Sequence, residues 1–408
     1  MESVAAGPPG RRDCVFSKIN LENVCSICYC WGVVRRLRAF SLFSGAGGLD
    51  LGVETAAYRV EFAIENDPVA VATLNLNREQ YFPRLPEVSA LDITKLEPRL
   101  LMQSLRLEPG EIDLLVGGPP CVAFSKSGFH LEYKREGRDE RAYLLDDYLR
   151  FLDALRPKTY LMENVFGLAY QNQSKAWFKR LRQGILRLGY SFKHDILNAA
   201  DYGVPQNRQR LFIIGATERR NLAFPEITHW GEHERRKPPK HAEKLLPHVT
   251  AGEALEDLHT EAESEELVNG RWGHLLPEIP PGRNYLHFPA KAEHPSPLFG
   301  WRTRYWTFLL KLDRNRPSST IQAQPGPYVG PFHWENRRLR APELKRLQGF
   351  PLDYQLAGTR RDVQRQIGNS VPPPLVAVVA GAITQQLAGS ASQLLSESQL
   401  EFPELAAV

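Results

Sequence analysis

Between Ala39 and Ala57 a strand-like Phe40-Ser-Leu-Phe43 runs through the tight turn Ser44-Gly-Ala-Gly-Gly48 into a helical Leu49–Ala57. This order, strand then glycine turn then helix, is the opening of a βα unit, and it recurs. Val60–Ile64 reads as a second strand and Val69–Leu74 as part of a helix, and strand-like runs follow at Ile112–Val116, Tyr160–Met162 and Leu211–Ile214. Strands separated by helix-length segments predict an α/β protein with a parallel, doubly wound sheet. The Ile112–Val116 run is short, apolar and closed by Gly117-Gly118, as expected of a strand buried on both faces.

At 408 residues the chain exceeds what one core usually organises, and two domains are expected. Residues 217 to about 315 break the strand–helix rhythm with proline-rich, charged stretches and scattered aromatics (Trp230, Trp272, Trp301, Tyr305, Trp306). The resulting division is an extension at 1–38, a catalytic and cofactor-binding domain at 39–216, a small domain at 217–360, a return segment at 361–390 and a tail at 391–408. In the return segment Pro372-Pro-Pro374 introduces Leu375, Val379, Ile383 and Leu387 at four-residue spacing, the mark of a helix with one apolar face. No apolar run approaches the ~20 residues needed to cross a bilayer, and a cytoplasmic location is the expectation. A net charge of +4 from 51 basic and 47 acidic residues suits an anionic partner without naming one. Of five cysteines, Cys14, Cys25, Cys28 and Cys30 lie far from Cys121, which argues against a disulfide framework. Cys25-x-x-Cys28-x-Cys30 lacks a second ligand pair, so no metal site is expected.

The chemistry gathers at strand ends. Gly45, Gly47 and Gly48 allow a ligand to approach backbone N–H groups at a helix start, although a plain structural turn uses glycine equally well. Glu65, placed 20 residues after Gly45 at the end of the next strand, can hold a ribose diol. Together they favour an adenosine-containing cofactor, and the short Gly-x-Gly-Gly pattern leans away from a dinucleotide. Cys121, on the stiff Gly118-Pro-Pro120 turn, reads as a nucleophile or as a small buried hydrophobe. Glu163, in Met162-Glu-Asn-Val165, reads as a proton-handling acid facing the same crevice or as a solvated strand end. Arg208 and Arg210 are two apart leading into a strand, so both guanidiniums are expected on one face, aimed at phosphate or a base edge or simply at solvent.

The order Phe43-Ser-Gly-Ala-Gly-Gly48, Glu65-Asn-Asp67, Asp92, Gly118-Pro-Pro-Cys121, Glu163-Asn-Val165, Gln206-x-Arg-x-Arg210, Arg316-Pro-Ser-Ser-Thr320 and Gly368-Asn-Ser-Val371 closely resembles the successive motifs of DNA (cytosine-5) methyltransferases, from about Ala39 to Leu387. The resemblance implies a Rossmann-like class I methyltransferase domain with a smaller, irregular target-recognition domain. It implies S-adenosyl-L-methionine as cofactor, double-stranded DNA as substrate, and a cytosine swung out of the helix to be attacked. By the same matching Cys121, Glu163, Arg208 and Arg210 are catalytic. The cofactor falls to Phe43, Ser44, Gly45, Gly47, Gly48, Glu65, Asn66, Asp92, Ile93, Gly118, Pro120, Asn369, Ser370 and Val371. Ser125, Lys126, Arg141 and Gln206 are matched to DNA contacts, the first three on a polar, basic loop suited to a lid. Members of the family commonly carry Gln after the motif cysteine, where this chain has Val122.

Two other functions share these residues: a transfer RNA cytosine-5 methyltransferase, and a catalytically silent DNA-binding regulator on the same scaffold. The irregular 217–315 segment favours duplex DNA over RNA, and an intact Cys121 with Glu163 argues against silence. A monomer is expected, serving as the modification enzyme of a restriction-modification system whose endonuclease acts at the same site without a stable complex.

Overall fold

The computed structural model describes residues 36–120, 143–231, 236–258, 266–288, 298–299 and 305–393. The central sheet begins with β1 (Leu37–Leu42), followed by α1 (Gly48–Thr55), β2 (Tyr58–Ile64), α2 (Pro68–Tyr81), α3 (Pro98–Leu105) and β3 (Leu114–Gly117). It continues through α4 (Leu144–Leu155), β4 (Thr159–Asn164), the short α5 (Gly167–Tyr170), α6 (Lys175–Arg187), β5 (Lys193–Asn198), the two-residue β6 (Gln206–Asn207) and β7 (Gln209–Ala216). Strand order is β2-β1-β3-β4-β7-β5.

The first four strands pair in parallel, as expected for units joined through helices. The expectation of a wholly parallel sheet fails at β7, which runs antiparallel to both β4 and β5. The reason lies in the connections. A parallel neighbour needs a crossover of about a dozen residues or more, whereas only a 3-10 turn at Ala199–Tyr202 and the short β6 separate β5 from β7. The chain therefore reaches the sheet edge at β5 through α6, then folds back between β5 and β4.

Side chains alternate between the two faces with the period of a strand. Ala39, Leu114, Val116, Leu161, Phe212 and Ile214 enter one core; Phe40, Leu42, Leu115, Met162, Leu211 and Ile213 enter the other. Both faces are covered, which explains the uninterrupted apolar runs. The 217–360 segment divides its packing. A third cluster holds Leu276, Tyr285, Phe288, Phe299, Leu309 and Phe332, while Leu222, Ala251, Leu255, Leu339 and Leu344 join the first core of the sheet. Of the aromatics in this segment, Tyr305 and Trp306 remain about half exposed.

The remaining helices are α7 (Ala251–Leu255), α8 (Ala341–Gln348), α9 (Arg360–Asn369) and α10 (Pro373–Gln393). The α9–α10 stretch is apolar and long enough to cross a membrane by length and composition alone, yet 72% of its most apolar window is buried inside the protein. It packs there against α1, where a Cβ on Gly52 would stand 2.4 Å from Val376 Cβ and 2.7 Å from Pro373 O. The C-terminal helix is thereby locked onto the helix that follows the glycine turn. Gly52→Ala is expected to destabilise the fold by ~1–3 kcal/mol through overpacking; an unchanged urea midpoint would show that the two helices can separate freely.

Candidate active site

A cavity of about 360 Å³ opens at the carboxyl edge of β1–β4 and is lined by the glycine turn, the β2 end, Gly118–Pro120, Glu163–Val165, Arg210 and Gln366–Val371. Of the residues matched to cofactor binding, Phe43, Ser44, Gly45, Gly48, Glu65, Asn66, Asp92, Ile93, Gly118, Pro120, Asn369, Ser370 and Val371 all line it. Gly47 stands behind the wall as the N-cap of α1, with φ of 80°, and a Cβ there would meet Tyr354 Oη at 2.6 Å. Only glycine accepts both the left-handed backbone and that crowding. Phe43 itself carries a positive φ of 57°, which turns the chain sharply out of β1 beside the cavity.

Glu65 is fixed by its own surroundings. Its Oε2 accepts from Gly45 N at 2.7 Å, and Oε1 accepts from Asn66 N at 2.9 Å and Asp67 N at 2.8 Å. A carboxylate offers about four acceptor sites, so one remains for a hydroxyl donor in the cavity. Asp92 caps a 3-10 turn, its Oδ1 accepting from Thr94 N and Thr94 Oγ1 at 3.1 and 2.7 Å. These bonds hold its pKa below the usual aspartate value.

The far wall is chemically different. Glu163 closes β4, is 8% exposed, and sits 3.0 Å from Arg210 Nε through Oε1. Burial raises its pKa above the ordinary glutamate value, opposed by the charges of Arg210 and Arg208. A Cβ on Gly118 would lie 3.2 Å from Glu163 Oε2, and Asn164 Nδ2 donates to Pro119 O at 3.1 Å. The Gly-Pro-Pro turn is thus tied to the acid. Cys121, which follows it, lies outside the described residues, as do Ser125, Lys126 and Arg141.

Two expectations are corrected. Arg208 and Arg210 do not leave one face: Arg208 is fully buried, with Nη1 donating to Ile321 O at 3.1 Å and Nη2 to Gly368 O at 2.6 Å. The strand breaks between β6 and β7 at this residue, so the two-residue rule does not carry across it. Gln206, matched to DNA, is also fully buried; its Nε2 donates to Gln348 Oε1 at 2.6 Å and Leu347 O at 3.1 Å, and its Oε1 accepts from Ile321 N at 3.1 Å. It braces the parallel ladder of β6 with Ser318–Ser319 instead of facing solvent. Only Arg210 of the three reaches the site.

Sequence reasoning gave no role to Arg365 and Gln366, which line the same cavity from α9. Arg365 Nη1 pairs with Asp67 Oδ2, and Gln366 Oε1 accepts from Thr73 Oγ1 at 2.6 Å. Their spacing before Gly368 was the available signal. A second opening, about 760 Å³, shares Val165 and Arg210 with the first and is bounded by Phe166, Asn207, Trp306, Lys311, Arg316 and Thr320. One wall of Val165 and Arg210 therefore separates a small cavity suited to a nucleoside from a wider, partly basic cleft.

The sequence profile of the C-5 cytosine-specific DNA methylase family matches residues 37–385, and the chain belongs to that family. Among curated relatives it is 42% identical to the Type II methyltransferase M.SacI of Streptomyces achromogenes, over 86% of this chain and 93% of that protein. It is 32% identical to M.NgoFVII of Neisseria gonorrhoeae, over 85% and 86%. A solved structure described as a DNA modification methyltransferase encoded within a prophage (E. coli) superposes with a TM-score of 0.59 at 25% identity, covering 86% of this chain and 99% of that one. The S. pombe Dnmt2 methyltransferase shares the fold, with a TM-score of 0.56 at 18% identity over 87% of this chain and 99% of that one. The protein is a DNA cytosine-5 methyltransferase that uses a methyl-donor cofactor.

Arg210 is the larger of the two attractions that hold Glu163 down. In Arg210→Ala the pKa of Glu163 is expected to rise further, moving the midpoint of its carboxyl titration, followed by NMR, to higher pH. A midpoint at the wild-type pH would show that Arg210 does not govern the acid.

Proposed function

We propose that this enzyme methylates C5 of one cytosine within a specific duplex DNA sequence, with S-adenosyl-L-methionine as donor and Cys121 as covalent nucleophile. The observation that carries this is Glu163, which lines the small cavity, buried and paired with the Arg210 that also lines the cleft.

The small cavity suits the donor. Its size falls in the range of small-ligand sites, Glu65 keeps an acceptor for a ribose hydroxyl, and the glycine turn exposes backbone at the start of α1. Bound there, S-adenosyl-L-methionine supplies an electrophilic methyl group. Phe43, Asp92, Ile93 and the Asn369–Val371 loop would hold the adenosine.

The protein's own groups handle the pyrimidine. The Cys121 thiolate adds to C6 of the everted base, forming the S–C6 bond and driving the ring electrons toward C5. Glu163, its pKa raised by burial, donates its proton to N3 and removes the negative charge that would otherwise build there. Arg210 fixes the carboxyl's orientation at 3.0 Å. Once C5 carries the methyl group, loss of the C5 proton to water restores the C5–C6 double bond as the S–C6 bond breaks to return the thiolate, and N3 gives its proton back to Glu163. Arg208, fully buried, stabilises the assembly from behind the site.

Residues 217–360 would carry target recognition, with Ser125, Lys126 and Arg141 on a loop that closes over DNA. The relatives named Type II methyltransferases support a role as the modification enzyme of a restriction-modification system, acting as a cytoplasmic monomer beside an endonuclease of the same specificity. Bisulfite sequencing of DNA from cells expressing the chain is expected to give one protected cytosine in a fixed sequence context; no protected cytosine would overturn the assignment. Glu163→Gln is expected to slow single-turnover transfer by a factor on the order of 10²–10⁴, and Cys121→Ser to abolish it, both with donor binding retained in calorimetry.

A further inference from the structure

Beyond the catalytic cleft lies another cavity, about 700 Å³, whose charged lining is four arginines, Arg338, Arg360, Arg361 and Arg365, against the single carboxylate of Asp362. That carboxylate is already committed. Its Oδ2 accepts from Thr359 N at 2.9 Å and Thr359 Oγ1 at 2.6 Å, and its Oδ1 from Arg365 Nη2 at 3.1 Å. Arg365 is further balanced by Asp67. Arg338 is satisfied by the carbonyl of Pro327 at 2.8 Å, and Arg360 donates to the carbonyl of Leu339 at 3.1 Å. A carbonyl can satisfy a donor but carries no net charge. Neither Arg338 nor Arg361 has an ion pair among the described residues, and Arg338 is crowded enough by burial and by the like charge of Arg360 that its pKa is lowered.

The position of this cavity relates it to DNA. One continuous segment walls both spaces: Ser319 and Thr320 face the catalytic cleft beside Arg210, and Ile321–Pro325, directly following, line the basic cavity. Gln364 Nε2 donates to Gln322 O at 2.6 Å, fixing that segment against α9. Four extended residues span at most ~14 Å, and a DNA strand presents a phosphate every ~3.4 Å of helix axis. The Ile321–Pro325 wall of the basic cavity therefore begins within ~14 Å of the cleft wall at Thr320, a span of a few nucleotides.

We propose that this arginine-lined cavity binds backbone phosphates of the duplex flanking the target cytosine, extending the DNA footprint past the catalytic cleft without reading sequence. Guanidiniums suit this by presenting planar forks to phosphate oxygens, and phosphate contacts set register and not specificity. The inference rests on duplex DNA as the substrate.

The test uses the full chain, a target-containing duplex and fluorescence anisotropy across a salt series. Arg361→Gln and Arg338→Gln are each expected to weaken binding about 5- to 20-fold near 0.1 M salt and to reduce the slope of log K against log[salt] by ~0.9 for each phosphate no longer neutralised. The weakening should be the same for scrambled flanks. Shortening the duplex on one flank should cost the wild type a similar factor and cost Arg361→Gln nothing more. Melting curves of both variants that match the wild type exclude misfolding as the cause; if Arg338→Gln melts early, Arg361→Gln alone decides. An unchanged salt slope in Arg361→Gln overturns the proposal. So does inorganic phosphate or pyrophosphate raising the wild-type melting temperature, but not that of Arg361→Gln, while DNA affinity is equal in the two, since the cavity would then hold a free anion. Transfer of labelled methyl groups into the same duplex by the wild type checks the substrate independently.

Discussion

The guanidinium of Arg208 holds together three segments that are remote in sequence. From the break between β6 and β7 it donates to the carbonyls of Ile321 and Gly368, and the backbone N–H of Arg208 donates to Asn198 Oδ1 at 2.9 Å. Burying a charge is expensive unless its donors are met, and each charge-assisted bond returns ~1.5–3 kcal/mol. The segment that walls the cleft, the loop that closes the cofactor cavity and the sheet therefore share one fastening. Its charge also reaches Glu163, where it acts with Arg210 against the effect of burial. A residue read as a contact for the flipped nucleotide is instead fully buried, bonded to the carbonyls of two distant segments.

Closure of the cofactor cavity depends on a second meeting of distant chain. A Cβ on Gly48 would lie 2.6 Å from Val371 O, so the turn at the start of the catalytic domain and the loop near its end touch backbone to backbone. Tyr354 Oη donates to Ala46 O at 2.7 Å from the same side. Below the turn, Asp50 is fully buried and pushed up to about 7 by desolvation, with the hydroxyls of Ser41 and Ser44 opposing the rise. The return segment after the small domain thus supplies Arg365, Gln366, Gly368, Asn369, Ser370 and Val371 to the wall of the small cavity.

Much of this was legible in the sequence. Strands buried on both faces write themselves as apolar runs, so β1, β2, β3, β4 and β7 were found within a few residues of their ends. Glycine, proline and acid at strand termini marked the cavity, and thirteen of the fourteen residues matched to the cofactor line it. What escaped notice had weak local signals. β5, Lys193-His-Asp-Ile-Leu-Asn198, is an edge strand with its first three residues exposed, so its composition is that of a loop. The burial of Gln206 and Arg208 is a tertiary fact: their partners, Gln348, Ile321 and Gly368, are more than a hundred residues away. Polar residues two apart look the same whether they face solvent or brace a joint.

Strand direction was the remaining error, and the site depends on it. In the antiparallel register Glu163 pairs with Phe212 and Asn164 with Leu211, which sets Arg210, at the start of β7, beside the carboxyl end of β4. A parallel β7 would carry the same arginine to the opposite edge of the sheet, ~20 Å away for a strand of this length. Glu163 would then be a buried carboxyl without the Arg210 guanidinium beside it, and the wall between the small cavity and the cleft would lose its charged member. The short return from β5 that forces the reversal is therefore what pairs the acid with its arginine, so a connection that looks incidental in the sequence fixes the electrostatics of the cavity wall.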